Sequence, residues 1–136
     1  MEALDPPIIV MADDDDDDCL LATDAFKKSG CRGVIQCVED GVKLMDHLSN
    51  SETLPALILL DLNMPQKDGR QTLKEMKEVP RFKDIPVVVF TTSREKKDMV
   101  LSRKMGANAF ITKPVLFDDW VGIMKSLADE WLTNNV

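Results

Sequence analysis

Asp13 and Asp14 open a run of six aspartates, Asp61 closes an apolar stretch, and Thr91 and Lys113 each follow another. Carboxylates are the ligands that hard divalent cations prefer. Three of them meeting in one crevice would repel one another and raise at least one pKa unless a cation sat among them. Mg2+ resolves that conflict and keeps several of its waters. Lys113 adds a second positive charge, and Thr91 adds a hydroxyl. A carboxylate flanked by metal, ammonium and hydroxyl is a good nucleophile toward a phosphoryl group, because charge on the transferring oxygens is neutralised from several sides. The chemistry these residue types support is formation of an aspartyl phosphate.

Such residues meet only if the elements before them lie side by side. Ile8 to Ala12, Ala56 to Leu60 and Pro86 to Phe90 are apolar and largely β-branched or leucine-rich. Continuous apolar character, rather than alternation, marks a parallel strand covered on both faces. Val34 to Val38 and Ala109 to Thr112 are weaker runs of the same kind. Helical patterns lie between them. Leu20 to Ser29 stops at Gly30, a left-handed cap; Gly41 to Leu48 has an apolar spacing; Arg70 to Glu78 stops before Pro80. Ser93 to Met105 opens on a serine cap and stops at Gly106, and Phe117 to Leu132 carries Trp120, Val121, Met124, Leu127, Ala128 and Trp131 on one stripe.

Strand and helix alternate five times, which calls for an α/β architecture: a flavodoxin-like, doubly wound parallel sheet of five strands with five helices on its two faces. In the order 2-1-3-4-5 the crevice opens between strands one and three, at their carboxyl ends. Those strands carry the three aspartates. Position relative to the strand thus singles out Asp13 and Asp14 from the run that contains them.

The chain has 136 residues, enough for one domain with a full core. Its 17 basic residues against 24 acidic ones give a charge of −7, a poor match for nucleic acid or an anionic membrane surface. Cys19, Cys31 and Cys37 form no CxxC pair, and an odd number is no disulfide framework, so the expectation is free thiols in a reducing cytoplasm. No signal-peptide pattern or membrane-spanning run is visible. Residues 1–7 read as a short extension and 133–136 as a tail around a single domain over 8–132, with no output domain.

The blocks IIVMADD, LILLDLNMPQKDG, VVVFTTS and FITKP, in that order and each following a strand, resemble the receiver domain of two-component response regulators. The resemblance covers nearly the whole of Ile8 to Leu132. It implies that Asp61 is the phosphoacceptor, that Asp14 is a direct Mg2+ ligand with the Asn63 backbone carbonyl, and that Asp13 acts on the metal through water. Thr91 resembles the hydroxyl residue that swings toward the phosphoryl group. Lys113 resembles the lysine that pairs with it, followed by Pro114 through a peptide bond often cis in the family. Phe110 occupies the aromatic position whose ring turns inward as Thr91 moves. Asn63 and Ser93 resemble positions that tune phosphate lifetime. The segment KEVPRFKDIPVVVFTTS is most similar to the stand-alone regulators paired with phytochrome-type histidine kinases.

The implied partners are a histidine kinase and a downstream protein or phosphotransfer domain. Self-association through the face of the fourth helix, fifth strand and fifth helix is a further option. Two features depart from the family pattern: small Ala12 before the acidic pair, and the continued run Asp15 to Asp18. These last four read as solvated residues and caps that favour the helix dipole. His47, the only histidine, reads as a surface residue. Two other functions use part of the same set. A haloacid-dehalogenase-like phosphohydrolase shares the aspartate, hydroxyl, lysine and Mg2+, but here Leu62 and Asn63 follow Asp61, so its second acid is missing. A pseudo-receiver would dock partners without being phosphorylated.

Overall fold

A computed structural model describes residues 6–132. Of the extension over 1–7 and the tail over 133–136, all but Pro6 and Pro7 lie outside the described residues. The elements are β1 (Ile8–Ala12), α1 (Asp16–Lys28), β2 (Val34–Val38), α2 (Gly41–Asn50), β3 (Leu57–Leu60), α3 (Gly69–Glu78), β4 (Val87–Thr91), α4 (Lys96–Lys104), β5 (Ala109–Thr112) and α5 (Phe117–Leu127). A π-helical turn, Ala128–Leu132, extends α5.

All strand pairs are parallel, in the order β2-β1-β3-β4-β5. Successive side chains of a strand point to opposite faces, and both faces here are buried. Val10, Ile58, Leu60, Val87 and Val89 face a cluster with Leu44 and Leu48 of α2 and Leu73 and Met76 of α3. Ile9, Met11, Leu57, Leu59, Val88 and Phe90 face the other, with Ala22 and Phe26 of α1 and Trp120, Met124 and Leu127 of α5. This double burial is why β1, β3 and β4 read as unbroken apolar runs. Trp120 meets Phe90 edge to face, with ring centroids 5.1 Å apart, and its Nε1 donates to the Pro114 carbonyl at 3.0 Å.

Aspartates start three of the helices. The Asp15 carboxylate accepts from the Asp17 and Asp18 N–H groups, Asp40 from Lys43 and Asp68 from Gln71, satisfying donors that a helix start leaves unpaired. With this cap, and acids in its first turn to offset the dipole, α1 begins four residues before Leu20. Gly30 takes the left-handed conformation expected of it, at φ 76°.

Three expectations are corrected. Ser93 does not cap α4, which starts after Glu95, because the Ser93 hydroxyl is bonded to Asp98 instead. Among the described residues no peptide bond is cis, so Lys113–Pro114 is trans; the tertiary amide before proline makes the two isomers nearly equal in energy. The free-thiol reading fails for two of the three cysteines. Cys19 in the first turn of α1 and Cys37 in β2 form a disulfide, with Cα atoms 6.4 Å apart. The crossover from β1 returns α1 over the sheet edge and brings the pair together, a proximity that residue counting does not reveal. Cys31 remains a free thiol.

The disulfide joins residues 18 apart, and a loop of that length restricts the unfolded chain by about 3 kcal/mol. Reduction, or Cys37→Ser, is expected to lower the thermal midpoint by about 10 °C. Thiol titration of the denatured chain is expected to find one thiol without reductant and three with it. An unchanged midpoint and three thiols in the untreated chain would rule the cross-link out.

Candidate functional site

The parallel register sets the geometry. Ala12 lies opposite Leu60, and Asp61 donates its N–H to the Ala12 carbonyl at 3.0 Å, so the residues just beyond both strands are neighbours. On the other side Thr91 pairs with Thr112, and the Lys113 N–H reaches the Thr91 carbonyl at 2.7 Å. Asp13, Asp61, Thr91 and Lys113 are all buried at this one edge, and Asp14 beside them is exposed.

The loop after β3 is folded back tightly. Gly69 donates its N–H to the Leu62 carbonyl at 3.0 Å, and a Cβ at Gly69 would overlap the Asp61 carbonyl oxygen and lie 2.8 Å from the Leu62 Cα. Only glycine lets α3 start this close beneath Asp61. The Asn63 N–H meets Asp61 Oδ1 at 3.2 Å, fixing the carboxylate plane.

Lys113 holds the centre. Its Nζ donates to Asp13 Oδ2 at 2.6 Å, to Asp18 Oδ2 at 2.7 Å and to Asp61 Oδ2 at 3.2 Å. Burial disfavours the ammonium, but these carboxylates outweigh it and hold Lys113 above its ordinary range. Burial dominates at Asp13 and pushes its carboxyl up to about 6, even though Lys113 and the Asp15 N–H favour the ionised form. Asp13, Asp14 and Asp61 each offer one oxygen within 4.8 Å of the others. This all-oxygen set suits a hard divalent cation, and its charge answers the desolvated carboxylate at Asp13.

Thr91 is fully buried, and its Oγ1 accepts from the Ser93 N–H at 3.4 Å. Ser93 Oγ donates to Asp98 Oδ2 at 2.7 Å and accepts from the Glu95 N–H at 3.2 Å. The Ser93 carbonyl accepts from Thr112 Oγ1 at 2.8 Å. Arg70 of α3 reaches Asp98 of α4 at 2.8 Å; with Ser93 it holds that carboxyl below the usual range. Phe110 is half-buried against the α2–α3 cluster, paired with Val89.

Asp13, Asp14, Asp61, Thr91 and Lys113 are therefore brought to one edge, with Asn63 bonded to Asp61. The reading of Asp15 to Asp18 as cap and solvated surface holds for Asp15 but is corrected for Asp18. Starting α1 at Asp16 turns Asp18 inward, where it grips Lys113. Helical phase was the available signal, and it depends on knowing where the helix begins.

Residues 9–125 match the family model of the response regulator receiver domain. The chain belongs to this family. The receiver is 34% identical over 136 residues to response regulator Rcp1 of Synechocystis sp., spanning 96% of this chain and 92% of Rcp1. The structure of the Mn(2+)-bound form of Rcp1 superimposes with a TM-score of 0.83 at 34% identity, covering 95% of this chain and 96% of that one. The phosphorylated cyanobacterial phytochrome response regulator RcpA gives 0.86 at 35% identity, over 93% of this chain and 94% of its own. The flavodoxin-like order of five parallel strands is thus the receiver fold, and its relatives include phytochrome-associated regulators.

The raised Asp13 carboxyl has a testable sign. Its stabilising contribution is complete below the unfolded value near 3.8 and is lost as pH rises through about 6. In metal-free protein, Asp13→Asn is expected to be more stable than wild type at pH 8, by about 3 kcal/mol at most. The gap should close toward pH 4. Denaturant titrations in EDTA across this range would show it, and a gap independent of pH would contradict it.

Proposed function

We propose that this receiver accepts a phosphoryl group on Asp61 from a phosphohistidine of a histidine kinase, in a Mg2+-dependent reaction, and signals through a change of surface. The observation that carries this reading is the position of Asp61. Its Oδ2 lies 3.2 Å from the Lys113 ammonium, and its carboxylate lies within 4.8 Å of Asp13 and Asp14.

An Asp61 oxygen attacks phosphorus as the histidine N–P bond breaks, and the nitrogen leaves with its electron pair. Lys113 and the Thr91 hydroxyl neutralise the phosphoryl oxygens, with Phe110 following Thr91. A divalent ion held by Asp14, Asp61 and the Asn63 carbonyl, with Asp13 through water, would screen the remaining charge. The bond to Asp61 is then lost slowly to water, so the domain is a signalling acceptor rather than a turnover enzyme. Phosphorylation shifts an existing two-state balance.

The output surface is the α4–β5–α5 face, for a downstream protein, a phosphotransfer domain or a second copy. Met99, Val100 and Leu101 are exposed on α4 among Lys96, Lys97 and Lys104, which favours a partner with apolar and acidic character. Nucleic acid is disfavoured by the charge of −7, and among the described residues no helix is long and apolar enough to cross a membrane. A cytoplasmic location follows from pairing with a histidine kinase; there the Cys19–Cys37 bond would meet reductants.

The test is intact mass after incubation with Mg2+ and acetyl phosphate. One added phosphoryl group is expected, abolished by Asp61→Asn, prevented by EDTA and severely reduced by Asp14→Asn. An unmodified wild-type mass would favour a docking module that is not phosphorylated. Steady release of phosphate from varied monoesters would favour a hydrolase.

A further inference from the structure

Asp18 has no part in the phosphoryl transfer described above, yet its carboxylate grips the ammonium at the centre of the site. A lysine ammonium has three protons to donate. Those of Lys113 are directed at Asp13, Asp18 and Asp61, at 2.6, 2.7 and 3.2 Å. An anionic group arriving on Asp61 can reach Lys113 only by taking a donor from one of them. Asp61 carries the newcomer. The Asp13 side chain is 1% exposed and cannot turn into water, and it is one of the three carboxylates gathered at the cation site. Asp18 lies outside that group, sits in the first turn of α1 and is 18% exposed. It is the partner that can leave at least cost, because water can replace what it gives up.

We propose that Asp18 is a positioning residue that latches Lys113 in the resting receiver and is displaced by a phosphoryl oxygen on Asp61. Two anions then compete for one cation. The latch weakens retention of the phosphoryl group by the strength of its own bond, and it ties occupancy of the site to the first turn of α1. The inference rests on Asp61 being the phosphoacceptor.

Binding of beryllofluoride, a phosphoryl mimic, is measured with Mg2+ by titration calorimetry on the full chain. Asp18→Asn is expected to bind about tenfold tighter than wild type, the weight of one charge-assisted hydrogen bond removed from the competing state. Asp18→Ala, which also removes the acceptor, should shift at least as far. Asp17→Asn removes the same charge one residue away, where the side chain is exposed and has no bond to Lys113; its affinity should match wild type. In the wild-type chain, the carboxyl 13C resonance of Asp18 should move when beryllofluoride binds. Equal affinities in the Asp18 and Asp17 variants, or a fixed Asp18 resonance, overturn the latch alone. A wild-type chain that takes up no beryllofluoride overturns both the latch and the phosphoacceptor reading.

Discussion

One ammonium surrounded by carboxylates is the constraint on which this structure turns. Lys113 is shared by Asp13, Asp18 and Asp61 at the end of a sheet whose central strands are buried on both faces. With Asp14 alongside, four negative charges face one positive one. Separately, each buried carboxylate would cost several kcal/mol of desolvation. Together they are tolerated because each has a donor: Lys113 for three of them, the Asp15 N–H for Asp13 and the Asn63 N–H for Asp61. The remaining deficit of positive charge leaves this edge of the sheet electronegative, an environment that suits a hard cation.

The rest of the fold exists to hold these groups in register. A sheet buried on both faces cannot slip by one residue without moving every side chain to the wrong layer. This fixes Asp13 against Asp61 and Thr91 against Thr112. The Trp120 indole, wedged on Phe90 and bonded to the Pro114 carbonyl, anchors α5 beside the residue that follows Lys113. Gly69 does the same from the opposite side, by letting a helix begin in contact with the Asp61 backbone.

How far the sequence could be read follows from the same physics. The three central strands were legible because both of their faces are covered, which leaves an apolar run with no polar interruption. The two edge strands read more weakly: β2 is exposed at Val34, Gln36 and Cys37, and β5 is only half-buried throughout. The gathering of Asp13, Asp14, Asp61, Thr91 and Lys113 was legible because all of them lie at the carboxyl ends of strands. What escaped depends on three-dimensional phase. Asp17 and Asp18 are chemically identical, and only the turn of α1 sends one to water and the other to Lys113. Ser93 has the composition of a helix cap, yet tertiary bonds to Asp98 and Thr112 take it elsewhere. Cys19 and Cys37 lie on different elements, and only the crossover makes them neighbours.

The bonding of Ser93 has a mechanical consequence. Its hydroxyl, amide and carbonyl engage α4, β4 and β5 at once, through Asp98, Thr91 and Thr112. A small inward creep of the Thr91 loop would strain all of these bonds while replacing none. One residue thus couples the end of β4 mechanically to α4 and β5, so that a disturbance at any one of them is felt at the other two.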